Sequence, residues 1–192
     1  RPMASQQPDK NAAPPLRPER IVAEAIDLMQ EQGLEAVSLR RLAARLGVQA
    51  MSIYWHIRNK DELLRLMSHK LYADAVAGMG HSASWQEWAR AYGRTLWGLY
   101  HTVRDSARLT FSLQHSEEDF RAFGDSLARN LAAFGMSAQN AVILHSAIQA
   151  LVIGWAGFDA SYGDSLRKLF PLETAMGDSL DALILGMEGK LA

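Results

Sequence analysis

The chain contains no cysteine, which excludes a disulfide frame, a thiolate metal site and a cysteine nucleophile. It has no Gly-rich phosphate loop, no Gly-x-Ser-x-Gly elbow and no paired-carboxylate constellation, so the commoner catalytic arrangements find no support. His69, His81, His101, His115 and His145 show no His-Glu-x-x-His spacing, and neither a metal nor another cofactor is expected. No apolar run approaches the roughly 20 residues of a transmembrane helix, and the N-terminus lacks the continuous apolar core of a signal peptide. These absences point to a soluble cytoplasmic protein with no membrane partner. Strand-like alternation and internal repeats are missing as well, which leaves an all-α fold.

What is present is enough for a buried core. The 192 residues are 48% hydrophobic, which suits one large or two small domains. The net charge of −1 is unevenly placed. Residues 1–72 hold 11 Lys and Arg against 8 Asp and Glu, whereas residues 73–192 hold 9 against 13. The N-terminal part is the end suited to a polyanion.

The densest signal lies between Ser38 and Lys60, with five basic residues and no acidic one. Leu39, Leu42, Ala43 and Leu46 make one apolar helical stripe, while Arg40, Arg41 and Arg45 fall away from it. Ser38 is placed to cap the first turn, and Gly47 stands where the chain must leave through a left-handed conformation. A second short helix runs from about Gln49 to Trp55, with Val48 and Ile53 as an apolar plug and small Ala43 permitting close approach. This is a helix-turn-helix, whose second helix can enter a DNA major groove. Gln49, Ala50, Ser52, Tyr54 and His56 face outward in this reading, with Ser38 and Arg40 at the start of the first helix. Trp55, next to Tyr54 but on another face, is expected in the core. Asn59 and Glu62 approximate a capping box, which sets Lys60 beside backbone N–H groups that also attract phosphate.

Together these residues resemble the DNA-binding domain of the TetR family of bacterial transcriptional regulators. The match runs from Arg20 to about Leu71 and is densest over Ser38–Leu64, where Tyr-Trp-His at 54–56 and Asn-Lys at 59–60 are similar to the family's tetracycline-binding branch. The resemblance implies a first helix, a helix-turn-helix, a long connecting helix and then a ligand-binding domain. It also implies a homodimer on a double-stranded DNA operator, released by a small-molecule effector.

The organisation along the chain agrees. Residues 1–17 read as a flexible tail, 18–76 as the helix-turn-helix domain with its connecting helix, and 84–192 as a ligand-binding and dimerisation domain. The first helix runs from Pro18 to about Gln32, and the connecting helix from Lys60 to about Val76, ahead of a Gly-Met-Gly-His-Ser-Ala-Ser linker. Ser84, Ser116 and Ser137 open helices to about Thr102, Phe134 and Asp159, with a short helix near Ser106–Leu113. Residues 159–171 read as a loop before a last helix from about Glu173 to Glu188. The helix 138–158 is apolar nearly all round, which implies burial on more than one side; the last helix, with Leu180, Leu183, Ile184 and Met187 in one stripe, is its natural neighbour in the bundle, and two such helices from each of two chains suit a four-helix interface.

Residues 85–134 are rich in aromatics, and Tyr92, Leu96, Tyr100, Phe111 and Phe123 are the candidate lining of an effector pocket. Carried into this region, the resemblance to the tetracycline-binding branch breaks down. Val76, Tyr92, Leu96 and Thr110 stand where that branch has His, Asn, Phe and His, and Phe158 stands at a further acidic position. Without both imidazoles and the carboxylate, a metal chelate loses its ligands, so a small apolar or aromatic effector without metal is implied. An enzyme built on a His–Asp pair, His101 with Asp105 or His145 with Asp159, and a helical protein that merely sequesters ligand remain as rivals. Salt-dependent DNA binding separates all three readings.

Overall fold

The computed structural model describes residues 16–113 and 117–191. The tail up to residue 15 and the expected cap Ser116 lie outside them. Among the described residues there are nine α-helices, two short 3-10 turns and no strand, as the missing alternation implies.

Helix α1 (Pro18–Gln32) starts at a proline, whose fixed φ suits the first helical turn. It buries Ile21, Val22, Ala25, Leu28 and Met29 at helical spacing. Gly33, at φ 87°, ends it, and a 3-10 turn at Leu34–Ala36 leads to α2 (Leu39–Leu46). Ser38 Oγ accepts the Arg41 amide at 3.3 Å. Gly47 takes the left-handed conformation, φ 67° and ψ 31°, so that Val48 N–H reaches the Ala43 carbonyl at 3.0 Å. Helix α3 (Ala50–Tyr54) follows at once, anchored by fully buried Ile53 and Ile57.

Helix α4 (Lys60–Ala77) opens on Asn59, whose Oδ1 accepts the Glu62 N–H at 2.8 Å. The Glu62 carboxylate returns to the Arg58 N–H at 2.7 Å, one residue before the position of a standard capping box. The same displaced box opens α5 (Trp85–Thr102): Ser84 Oγ takes the Glu87 N–H, and Glu87 takes that of Ala83. Helices α6 (Ser106–Ser112), α7 (Glu117–Leu131), α8 (Ala138–Leu166) and α9 (Leu172–Leu191) complete the chain.

Two cores result. Helices α1–α4 share one, to which α5 and α6 contribute Leu99 and Leu109. Helices α5, α7, α8 and α9 share the other, around Leu96, Leu131, Leu144, Ile148 and Ile184, all fully buried. Gly93 lets α5 lie close on α9, because a Cβ there would run into Leu180.

Two sequence expectations are corrected here. The segment 159–166 is helix, not loop: α8 runs on to Leu166, held by the Arg167 guanidinium on the Asp159 and Asp164 carboxylates. Buried Gly163 permits this, since a Cβ at that position would strike both Asp159 and Arg167. Helix α8 is also long and apolar enough, with mean hydropathy 1.7, to cross a bilayer by length and composition. Run-length reading misses this because Ser146, Gln149 and glycines interrupt the apolar letters. Its apolar character has another use, since α5, α7 and α9 all pack against it.

Candidate nucleic-acid interface and effector site

The helix-turn-helix presents one exposed polar and aromatic face. Gln49, Ala50, Tyr54, His56 and Lys60 are exposed, Ser52 is half-buried, and Arg40 stands exposed on α2. Ser38 is half-buried with its hydroxyl engaged in the α2 cap. Of the five basic residues of the motif, Arg40, Arg41, Arg58 and Lys60 make no ion pair among the described residues, which leaves four cations for a polyanion.

Arg45 differs from them. Its guanidinium holds Glu24 at 2.6 Å and Glu31 at 2.6 Å, both on α1. The hydrogen bonds from Arg45 lower the Glu31 carboxyl below its usual range. Arg45 therefore fastens α2 to α1, and a count of basic residues overstates the DNA-facing charge. Arg41 likewise reaches Gln32 Oε1 at 3.3 Å.

Trp55 is not core. It is 82% exposed, against 50% for Tyr54. Ile53 and Ile57, four residues apart, take the inward direction of this short segment, and Trp55 between them is turned out. Met51, also exposed, joins the same surface. Helical spacing misleads for Trp55 and is silent on Met51, because the five residues of α3 are too few to define a face.

In the second core, polar groups meet where α4, α5, α6 and α8 converge. Tyr72 and Tyr100 hydroxyls are 2.5 Å apart, and Thr110 Oγ1 lies 3.4 Å from Tyr72. Gln149 Nε2 donates to the Tyr72 hydroxyl at 3.0 Å, and Thr110 donates to the Ser106 carbonyl at 3.0 Å. Desolvation raises the Tyr72 and Tyr100 phenols above their ordinary value, so both stay neutral. Nearby, Tyr92 and His145 Nε2 are 2.5 Å apart, with Trp88 stacked on Tyr92 and Phe123 edge-on to His145. Burial lowers His145 to about 4 and raises Tyr92, so this too is a bond between neutral groups. A charge here would lack a partner.

Of the five candidate pocket residues, Tyr92 and Leu96 are buried, Tyr100 is half-buried and Phe123 lies against His145 from the rim. Phe111 is 72% exposed on the outer side of α6, whose inner side is taken by Ser106 and Leu109. It does not join the others. Tyr72, Thr110, Gln149 and His145 lie beside them without any periodic mark in the sequence; a glutamine inside the apolar run of α8 is the available signal. The His–Asp pairs form differently from either rival arrangement. His101 Nε2 meets Asp159 at 2.9 Å, with Arg167 on the same carboxylate, and His145 meets Tyr92. Among the described residues no group of three His, Asp or Glu side chains could hold a metal ion.

The family model "Bacterial regulatory proteins, tetR family" matches residues 21–67, the span of α1 to mid-α4. The class A tetracycline repressor from transposon 1721 of Escherichia coli is 30% identical over 157 residues, covering 78% of this chain and 69% of that protein. The chain belongs to the TetR family. The class C tetracycline repressor of Escherichia coli is 28% identical over 72% of this chain, and the match spans 64% of that relative's length. Among solved structures, a TetR variant from Acinetobacter baumannii AYE in complex with minocycline superposes with a TM-score of 0.74 at 26% identity, over 93% of this chain and 99% of that one. This TetR-family member is a DNA-binding transcriptional regulator and not an enzyme.

Proposed function

We propose that the protein is a repressor which binds a palindromic operator as a homodimer in the cytoplasm and releases it on taking up a small, uncharged aromatic effector. Residues 18–76 serve as the DNA-binding unit and 84–192 as the effector and dimerisation unit. The observation that carries this reading is the exposed face of α3, with Gln49, Ala50, Tyr54 and His56 between the unpaired cations Arg40 and Lys60. Bases are read by Gln49, Ala50, Ser52 and Tyr54, whereas Arg40, His56, Lys60 and Ser38 hold the phosphates.

Dimerisation is supported by unpartnered apolar and small residues on the two last helices. Ile143, Gly154, Gly157 and Phe158 of α8 and Leu185 and Gly186 of α9 are all exposed in the single chain. A second copy covers them with a four-helix interface. Effector uptake is assigned to the region of Tyr92, Leu96, Tyr100 and Phe123; that the similar Acinetobacter baumannii structure is in complex with minocycline supports a ligand of drug size.

The deciding experiment is selection of operators from random duplexes, followed by sedimentation of the complex. Half-sites about one helical turn apart, bound by two chains, support the reading. Binding without sequence preference, or by a monomer at micromolar concentration, overturns it.

A further inference from the structure

The chain offers an oxidant no thiol, so its thioethers are the softest groups it has. They are not equally open. Met29, Met67, Met136, Met176 and Met187 are buried in the two cores, and Met79, half-buried after the end of α4, packs against the second of them. Met51 is 64% exposed and stands on α3. Among the described methionines it is the one that solvent reaches freely.

The direction of Met51 follows from the anchor of its helix. Ile53 is fully buried, and at about 100° per residue a position two before it or two after it lies roughly 200° round the helix. Met51 and Trp55 occupy those two positions, so they form the outermost line of α3, and Ala50 and Tyr54 form the row beside it. A helix that enters a groove leads with the side opposite its anchor. The one open thioether therefore stands at the front of the face that the regulator reading assigns to DNA, where its present contribution is apolar contact.

We propose that Met51 is an oxidation site through which hydroperoxides reversibly lower the affinity for the operator. The inference rests on the regulator reading and adds to it a second input, one that acts on the DNA face and bypasses the helical bundle. The sulfur lone pair attacks the terminal oxygen of the hydroperoxide, and the S–O bond forms as the O–O bond breaks. The proton of the attacked oxygen passes to the departing alkoxide or hydroxide, which leaves as alcohol or water. Sulfur gives up two electrons in this step, the peroxide takes them, and the product is a polar, chiral sulfoxide that reductases return to the thioether. To enter the groove, the new oxygen must shed its water where an apolar group stood before.

The test treats the intact chain with hydrogen peroxide, maps the added oxygen by peptide mass and measures binding to the selected operator before and after. Met51 should gain its oxygen ahead of the other described methionines, and operator bound beforehand should slow that gain. Operator affinity should fall by about tenfold or more and return when a methionine sulfoxide reductase removes the oxygen. Met51→Leu keeps the size and apolar character without the sulfur, so its ratio of treated to untreated affinity should stay within about twofold of one, whatever its starting affinity. Met79→Leu should respond as the parent does. Oxidation of Met51 without loss of affinity, a loss that survives in Met51→Leu, a loss that the reductase does not reverse, or oxidation of Met51 that bound operator does not slow overturns the proposal. Failure of the untreated parent to bind any selected duplex overturns the regulator reading, whereas operator binding that peroxide leaves unchanged overturns the oxidation site alone.

Discussion

The backbone N–H of Leu34 donates to the Asp105 carboxylate at 2.8 Å, across 71 positions of sequence. Asp105 is the one non-glycine with positive φ among the described residues, at 59°. Around it, Arg104 N–H reaches Gln30 Oε1 at 2.6 Å, the Arg104 guanidinium reaches the Glu31 carbonyl at 3.0 Å, and Arg108 reaches Glu35 at 2.6 Å. The turn between α5 and α6 thus grips the C-terminal end of α1. It is a direct polar tie between the bundle and the DNA-reading helices, parallel to the covalent one through α4.

Substitutions at Asp105 should separate strain from bonding. Asp105→Asn keeps both an acceptor and a tolerance for the left-handed region, and should cost under about 1 kcal/mol in chemical denaturation. Asp105→Gly relieves φ but leaves the Leu34 N–H unpaired, and Asp105→Ala does neither, so Ala should be worst, at about 1–3 kcal/mol. If Gly proves as stable as Asn, the hydrogen bond contributes nothing and the residue is there for its backbone alone.

On DNA, Lys60 and Arg45 should behave oppositely although both are basic residues of one motif. Lys60→Ala should weaken binding to all duplexes and lessen the slope of log affinity against log salt by about 0.9 per lost phosphate contact. Arg45→Ala breaks the ties to Glu24 and Glu31, so it should lower the melting temperature and leave the salt slope of the folded protein unchanged. Gln49→Ala should instead change base preference, by about 1–3 kcal/mol at one position of the site. An Arg45→Ala protein of normal stability with a reduced slope would move Arg45 to the DNA side.

The contrast shows what sequence pattern can and cannot carry. Helix starts at Ser38, Asn59, Ser84 and Ser137 were legible, because a cap is a local bargain between a side-chain oxygen and an amide three residues on. The left-handed exit at Gly47 was legible for the same reason. The inward pairing of Arg45, the grip of Asp105 on Leu34 and the meeting of Tyr72 with Gln149 join residues 14 to 77 positions apart, and no periodicity encodes such pairs. Trp55 was misplaced because burial in α3 follows from how Ile53 and Ile57 dock. The end of α8 was misplaced because Gly163 reads as a breaker until the Arg167–Asp159 ion pair that needs its missing Cβ is seen.

The dimer face makes its own prediction. Leu185 is 70% exposed on the single chain, so Leu185→Glu should leave the fold of one chain intact by circular dichroism. Placed against its symmetry mate it buries two like charges, and sedimentation should show monomers where the parent sediments as a dimer. A charged variant that still dimerises with unchanged affinity puts the interface elsewhere.

Acid should destabilise the bundle through His145, and the sign follows from its direction of shift. Burial lowers this imidazole from 6.5 to about 4, with the Tyr92 hydroxyl and the Phe123 ring as its neighbours from α5 and α7. Between these values the unfolded chain binds a proton that the folded chain refuses, so stability rises with pH and is lost as pH falls below about 6.5. From pH 7.5 to pH 5 the loss from this one group is about 2 kcal/mol. Other groups titrate over the same range, so the measurement is a difference: urea denaturation at both pH values for the parent and for His145→Gln, which keeps a hydrogen-bonding group toward Tyr92 but cannot take up the proton. The parent should lose about 2 kcal/mol more than the variant over this interval. Equal losses would mean that His145 is protonated in the folded bundle at little cost, and the uncharged character of the effector region would lose one of its supports.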